Sequence, residues 1–314
     1  MSKLLLIDGN AILHRAYHAY PPVFTDKEGH PVNAVYGFFA MLLKLLEDQH
    51  PDFLAICFDR HAPTFRQELF AGYQQGRPAM QDDLVIQVPI LQKSLEDVGI
   101  PLFGIDGYEA DDLLGSLSVL AKKEGLETVI VTGDRDLLQL VNSHVKILMP
   151  LTGITKTALY GEKEVEEKYG VKPSQFIDYK ALVGDASDGY PGVTGIGPKG
   201  AANLLQKYGS FEKLYKHISE LPMQVQEKLA TDAEQAALAK KLATIAKDAP
   251  VHLDLKKCDV KHFQTEKFVK VFEDLGFKSL VRRLEESKGT KETKVEMKKV
   301  QEKNKSDTEQ LGLL

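Results

Sequence analysis

Short apolar runs that each lead into an acidic residue recur along the chain. Lys-Leu-Leu-Leu-Ile closes on Asp8, Phe-Leu-Ala-Ile-Cys-Phe closes on Asp59, and Val-Ile-Val-Thr-Gly leads into Asp134 and Asp136. Glu109, Asp111 and Asp112 open a helical stretch, and Asp185 and Asp188 lie in a Gly-containing loop. A packed core has no use for this pattern. Apolar runs of this length, alternating with helical periods, build a parallel sheet covered on both faces. The carboxyl ends of such strands border one crevice, so acids placed there converge. Converging carboxylates repel, and hard divalent cations with oxygen ligands relieve that repulsion. The pattern predicts an α/β fold and a metal-dependent enzyme acting on phosphate esters.

Bulk properties bound the remaining classes. A chain of 314 residues can bury a large core and suits two domains, or one with an appendage. Its 43% hydrophobic and 27% charged residues are those of an ordinary globular protein. A net charge of -5 excludes a uniformly basic nucleic-acid coat but not a local basic groove, because metal-binding acids lower the total. Cys57 and Cys258 are far apart, which suggests neither a zinc site nor a disulfide framework. The N-terminal apolar run ends at Asp8, too short for a signal peptide, and nothing later approaches a membrane span. The cytoplasm is the expected location.

Strands are expected at Leu4–Ile7, Phe53–Phe58, Thr128–Val131 and Val145–Met149. After Asn33, read as a helix cap, Val35, Phe38, Phe39, Leu42, Leu45 and Leu46 follow a helical period. Residues Arg60 to Met80 break the alternation. Arg60, Arg66 and Arg77 interleave with Phe65, Phe70 and Tyr73, while Pro63, Gly72, Gly76 and Pro78 interrupt any long helix. A segment this irregular beside Asp59 fits an arch over the crevice, its guanidinium groups suited to phosphates and its rings to bases. A plain surface excursion has the same composition. Beyond about Gly170 helical periods dominate: Ser174–Val183, Lys199–Tyr208, Phe211–Ile218, Gln224–Leu229, Ala233–Ala246 and Glu266–Leu275. The expected organisation is a core over 1–170 with an arch at about 60–90, and a helical subdomain over 171–286. Residues 287–314 lose the apolar period and form an expected disordered, lysine-rich tail.

Each motif has a plainer reading. An Asp ending a strand is commonly a turn former or helix cap, and for Asp8, before Gly9 and Asn10, that reading comes first. Glu109, Asp111 and Asp112 are harder to explain that way. A helix N-terminus offsets only about 0.3–1 kcal/mol per charge, and Asp134 with Asp136 repeats the difficulty. The sequence Gly192-Val-Thr-Gly195-Ile-Gly197-Pro198-Lys199 supplies glycines for close approach and a proline for a helix start. It fits a phosphate-binding helix N-terminus or an ordinary loop. Lys199 is followed by Gly200, so the spacing is not that of a Walker A loop. His14 and His18, four apart, read as helix-surface residues.

Six segments then carry a resemblance: Leu-Ile-Asp8-Gly-Asn; Ala34-Val-Tyr-Gly-Phe; Phe58-Asp59 with Phe65-Arg66; Gly107-Tyr-Glu-Ala-Asp-Asp112; Thr132-Gly-Asp-Arg-Asp-Leu-Leu-Gln-Leu140; and Gly184-Asp-Ala-Ser-Asp188 before Pro191-Gly-Val. In this order they resemble the 5′-nuclease domain of bacterial DNA polymerase I, a member of the flap endonuclease family, from about Leu4 to Arg283. The resemblance implies a PIN-like, Rossmann-like, mostly parallel sheet with a helical helix-hairpin-helix subdomain. It implies a two-metal phosphodiesterase, using Mg²⁺ or Mn²⁺, that cuts DNA at 5′ ends, flaps, nicks and RNA primers in replication and repair. By position, Asp8, Asp59, Glu109, Asp111 and Asp112 match a first metal cluster, and Asp134, Asp136, Asp185 and Asp188 a second. Gly195, Gly197 and Lys199 match the helix-hairpin-helix element, which grips duplex phosphates and often holds a K⁺ ion. Arg66, Tyr73 and Arg77 match the arch, with Arg77 steadying the scissile phosphate, and Arg15 matches a basic position beyond the first strand. A monomer is expected.

Three departures from the family pattern stand out. Gln74 follows Tyr73 where the family has Lys, Gly189 stands in place of Asn, and Pro198 and Gly200 flank Lys199 in place of polar residues. Gln74 motivates an alternative, a junction-binding protein with weakened catalysis; a nuclease preferring RNA is another. The chain as given has no room for a polymerase module. Its final Gln310-Leu311-Gly312-Leu313-Leu314 is similar to the short peptide that docks bacterial proteins on the sliding clamp, or is simply an apolar tail end.

Overall fold

The computed structural model describes residues 1–152 and 156–286. Six strands form one sheet: β1 (Lys3–Asp8), β2 (Phe53–Cys57), β3 (Leu102–Phe103), β4 (Glu127–Val131), β5 (Val145–Thr152) and β6 (Lys156–Tyr160). Their spatial order is β3-β2-β1-β4-β5-β6. All neighbours run parallel except β5 and β6, which are antiparallel. The chain winds outward from β1 through β2 to β3, then restarts at β4 on the other side. The switch point therefore lies between β1 and β4, where crevices open in this class of sheet.

Side-chain alternation explains why the strands are apolar throughout. Leu4 and Leu6 enter one core while Leu5 and Ile7 enter the other, and Ala55 and Cys57 alternate with Leu54 and Ile56 in the same way. One face is covered by the helices Gly9–Ala19, Asn33–Gln49, Gln87–Val98 and Thr265–Asp274, the other by Ala110–Lys123 and helices from Glu162–Tyr169 to Ala233–Ala243. The four strands expected from the sequence are present. The two edge strands escaped notice because β3 spans only Leu102–Phe103 and β6 is largely exposed.

One expectation needs correction. Asn33 does not cap its helix; Val32 holds that position. Instead Asn33 is buried and donates from Nδ2 to the Tyr17 and Tyr20 carbonyls at 3.2 and 2.9 Å, tying two helices together. The apolar core continues across residue 170, where the helical part begins. Leu4 and Leu6 of β1 belong to the same apolar cluster as Leu205, Leu214 and Leu229. The Thr265–Asp274 helix packs on the opposite sheet face, where Phe272 meets Phe39 with ring centroids 5.1 Å apart.

One backbone crossing positions the acidic loop. Gly184–Asp185 pairs antiparallel with Tyr190–Pro191. A Cβ on Gly192 would lie 2.4 Å from both the Gly184 nitrogen and the Leu182 oxygen, and Gly184 itself has φ +77°. Only glycines permit this approach. It turns Asp185 and Asp188 back toward the sheet edge.

Candidate active site

Parallel strands and one helix N-terminus deliver the acids to a shared cleft. Asp8 ends β1, Asp59 lies just beyond β2, Asp134 and Asp136 follow β4, and Glu109 is the N-cap of Ala110–Lys123. Asp8, Asp59, Glu109, Asp111, Asp134, Asp136 and Asp188 all line a cleft of about 1330 Å³. Arg15 lies on its wall, and residues 60–67 and 73–81 of the expected arch close one side.

Asp8 caps the helix that follows it, the plainer of its two readings. Its Oδ1 accepts from the Ala11 N–H at 2.9 Å, capping the first helix, and its Oδ2 accepts from Thr132 Oγ1 at 2.8 Å. Burial, reinforced by the Asp59 and Asp134 charges, pushes its carboxyl up to about 7. Asp59 accepts from the Ala110 N–H at 2.7 Å, yet burial still raises it above the usual carboxylate range. Asp111 sits among these groups with no hydrogen-bond donor or cation paired to it among the described residues. Burial raises it well above the ordinary range, and repulsion from Asp134, Asp8 and Asp59 adds to this. Mutual repulsion without a protein counter-charge is what a divalent ion relieves.

The second group is tighter. Asp136, Asp185 and Asp188 bring carboxylate oxygens within 4.8 Å of one another. Burial and the Asp134 charge push Asp136 up to about 7. Asp188 is raised by burial despite its bond from Arg77 Nη2. Burial also works against the Asp185 charge, but bonds from Lys180 and Ser187 prevail and hold it below the usual range. Asp134 repels members of both groups. Oxygen-rich, anionic and mutually strained, this second group fits a hard divalent ion.

Three sequence-derived assignments change. Asp112 is fully buried, and its oxygens are occupied: Arg66 Nη1 and Nη2 donate to it at 2.8 Å each, Ala246 N–H at 2.8 Å and Glu109 N–H at 3.1 Å. It has no oxygen to spare for the cleft. Arg66 is correspondingly no phosphate contact. Only 2% exposed, it pairs with Asp112, reaches Glu109 at 3.2 Å and donates to the Leu242 and Thr244 carbonyls at 2.8 and 2.9 Å. Tyr73 is buried against Tyr190, Ala239, Leu242 and Ala243, and its hydroxyl donates to Glu109 Oε2 at 3.1 Å. Its ring is not free to stack on a base. Arg66 and Tyr73 anchor the arch at the base of the cleft.

Arg77 does reach the cleft, half exposed and bonded to Asp188. Gln74 has φ +59°, and its N–H donates to the Asp188 carbonyl at 2.8 Å. Gly195 and Gly197 border a separate hollow shared with Asp185 and Ala186 before the helix Pro198–Tyr208, in whose first turn Lys199 is exposed. Lys228 Nζ donates to the Gly195 carbonyl at 3.2 Å, bringing the Met223–Thr231 helix to this loop. His14 and His18 are exposed on the first helix with Nε2 atoms 3.3 Å apart, and no third ligating group joins them among the described residues.

Sequence reasoning missed Thr132 and Lys180. Lys180 Nζ contacts Asp136 Oδ1 at 2.5 Å and donates to Asp185 Oδ2. Burial opposes its charge, but the two carboxylates raise its pKa above the usual lysine value. The available signal was one buried-face lysine within the apolar stretch Phe176-Ile-Asp-Tyr-Lys-Ala-Leu-Val183.

Comparison with known proteins agrees with this geometry. Residues 3–170 match the family model of the 5′-3′ exonuclease N-terminal, resolvase-like domain. Residues 171–266 match that of the 5′-3′ exonuclease C-terminal SAM fold. The chain belongs to the 5′-3′ exonuclease family. It is 35% identical to the 5′-3′ exonuclease of Aquifex aeolicus over 91% of this chain and 96% of that one. It is 42% identical to DNA polymerase I of Caldicellulosiruptor bescii over 90% of this chain and 33% of the polymerase. DNA polymerase I of Bacillus subtilis is 38% identical over 97% of this chain and 35% of the polymerase. The chain thus spans about a third of the length of these polymerases. T5 5′-exonuclease with zinc bound shares the fold at TM-score 0.64 and 20% identity, over 87% of this chain and 98% of that one. The catalytic core of Rad2 with DNA substrate does so at TM-score 0.54 and 15% identity, over 87% and 86%. These agree with a resolvase-like, mostly parallel α/β unit joined to a helical SAM-like unit.

Two predictions concern the site's energetics. Arg66→Met leaves Asp112 buried without its partner, and should destabilise the protein by about 3–5 kcal/mol in urea unfolding. A loss under about 1 kcal/mol would show that the pair is dispensable. Asp8, Asp59, Glu109, Asp111, Asp136 and Asp188 all have raised pKa values. The folded state therefore binds more protons than the unfolded state, and metal-free stability falls as pH rises from about 4 to about 7. In EDTA, Tm should be lower at about pH 7.5 than at about pH 5.5, and Mg²⁺ should raise it more at the higher pH. An EDTA Tm that rises across this interval contradicts the assignment.

Proposed function

We propose that this protein is a structure-specific 5′-nuclease that hydrolyses phosphodiesters at 5′ flaps, nicks and RNA primers, dependent on two Mg²⁺ or Mn²⁺ ions. The observation that carries the reading is the convergence of Asp8, Asp59, Glu109, Asp111, Asp134, Asp136 and Asp188 in one cleft beneath a segment anchored by Arg66. Asp8, Asp59, Glu109 and Asp111 would hold one ion, and Asp136, Asp185 and Asp188 the other, with Asp134 between them. Bound there, such ions activate a water and offset the charge developing on the scissile phosphate. Asp112 supports this set from behind by fixing Arg66, and Asp8 is oriented by Thr132 and Ala11.

The remaining basic groups supply positioning. Arg77 reaches the cleft wall and is suited to a phosphate oxygen once it leaves Asp188, and Arg15 lies on the opposite helix. Gln74 contributes no charge where a lysine would. The Gly195–Lys199 turn, with free N–H groups at a helix start, suits duplex phosphates and a K⁺ ion. The protein would act as a monomer in the nucleoid-associated cytoplasm; no described helix is long and apolar enough to cross a membrane.

The decisive comparison sets wild type against Asp134→Asn on flap, nicked and RNA-primed duplexes with and without Mg²⁺. Wild type should cut only with Mg²⁺, and the variant should be slower by roughly 10²-fold or more while still binding DNA. Wild-type binding without any cleavage would favour a junction-binding protein, and cleavage confined to RNA would favour an RNA-preferring nuclease. Gln310–Leu314, proposed to dock on the sliding clamp, lies outside the described residues. Deleting it should abolish clamp binding and leave flap cleavage intact; unchanged clamp affinity would end that proposal.

A further inference from the structure

The two acidic groups differ in one respect that the proposed activity does not require. Asp111 in the first group faces no protein cation among the described residues, whereas two protein cations, Lys180 and Arg77, lie on the three carboxylates of the second. Lys180 is 9% exposed, near the end of Phe176–Val183, and its ammonium lies against both Asp136 and Asp185. Its Nζ lies 2.5 Å from Asp136 Oδ1, a buried oxygen with no other donor among the described residues. Burying an ammonium is unfavourable unless carboxylates surround it. Lys180 therefore sits where the field of Asp136 and Asp185 is strongest, which is also where a metal ion would be held.

We propose that the Lys180 ammonium is a resident counter-ion of the Asp136–Asp185–Asp188 group, and that a divalent ion enters there by displacing it. The inference rests on the metal reading above. Its consequence is ordered loading. In the first group only Glu109 has a protein cation, Arg66, whose fork stays on Asp112, so an ion binds there without eviction; the second group must exchange one monovalent protein cation for a divalent one and so binds more weakly. A lysine suits this exchange because its point charge rides on a flexible four-carbon stem. The ammonium also keeps the metal-free loop folded, since three close carboxylates would otherwise repel. Arg77 on Asp188 adds a second displaceable cation, one that belongs to the arch.

The test is Mn²⁺ binding to the full-length protein without DNA, followed by the electron paramagnetic resonance of free Mn²⁺. Wild type should show a tight and a weak class of site. Lys180→Met, which keeps the stem and removes the charge, should tighten the weak class by about tenfold or more. It should leave the tight class nearly unchanged and lower the Tm in EDTA. Lys180→Arg, which keeps a charge, should leave the weak class weak. An unchanged or weakened second class in folded Lys180→Met overturns the inference while leaving the metal reading intact; absence of any Mn²⁺ binding by wild type overturns both. Should Lys180→Met fail to fold, reductive methylation of wild type read at Lys180 by mass spectrometry decides. Protection in EDTA and modification with saturating Mn²⁺ support displacement, and protection in both conditions refutes it.

Discussion

Repulsion among carboxylates at the carboxyl edge of a buried sheet is the constraint to which the surrounding structure responds. Two like charges 4 Å apart oppose each other by about 4 kcal/mol at an intermediate dielectric, whereas a helix terminus returns only about 0.3–1 kcal/mol. Helix ends are used where they are available: Asp8 takes the Ala11 N–H and Asp59 the Ala110 N–H. They are not enough. Asp8 and Asp136 are pushed up to about 7, and Asp111 stays strongly perturbed. The site is balanced only when cations are added, which is why its chemistry and its stability are linked.

Protein cations handle part of this charge, in three different ways. Arg66 is permanently committed, with its fork filled by Asp112 and two backbone carbonyls. Lys180 bridges Asp136 and Asp185 from an adjacent helix. Arg77 reaches Asp188 from a segment half exposed to solvent. Planar, bidentate pairing makes the first a fastener, while flexible or exposed pairing leaves the other two exchangeable. The arch is thus bolted at Arg66 and Tyr73. Gln74 holds its place through its backbone, by a bond to the Asp188 carbonyl, so the missing lysine charge does not detach the segment from the acidic loop.

Much of the architecture was legible from pattern. Buried parallel strands are apolar on both faces, so β1, β2, β4 and β5 announced themselves, while the Leu102–Phe103 and Lys156–Tyr160 edges carried no such signal. The helical periods after residue 170 were equally readable. What pattern could not convey was partnership across the chain. Asp111 and Asp112 are neighbours of the same chemical type, yet one faces the cleft and the other faces Arg66, 46 residues away. Consecutive helical residues point about 100° apart, and only the packed surroundings decide which direction is inside. Arg66 and Tyr73 misled for the same reason, since a guanidinium and a phenol suit a nucleic acid and a buried carboxylate equally well.

The sequence by itself determined the four inner strands and the edge at which the acids gather, because the hydrophobic period of a strand is a local property that survives without knowledge of neighbours. It also determined that so many carboxylates in one place require cations. Only the tertiary structure decided which acids remain available, which of their counter-charges are built in, and that the core runs unbroken from β1 to the distal helices. Those outcomes depend on distances between residues far apart in the chain, and Coulomb energy and desolvation are set by those distances, not by composition.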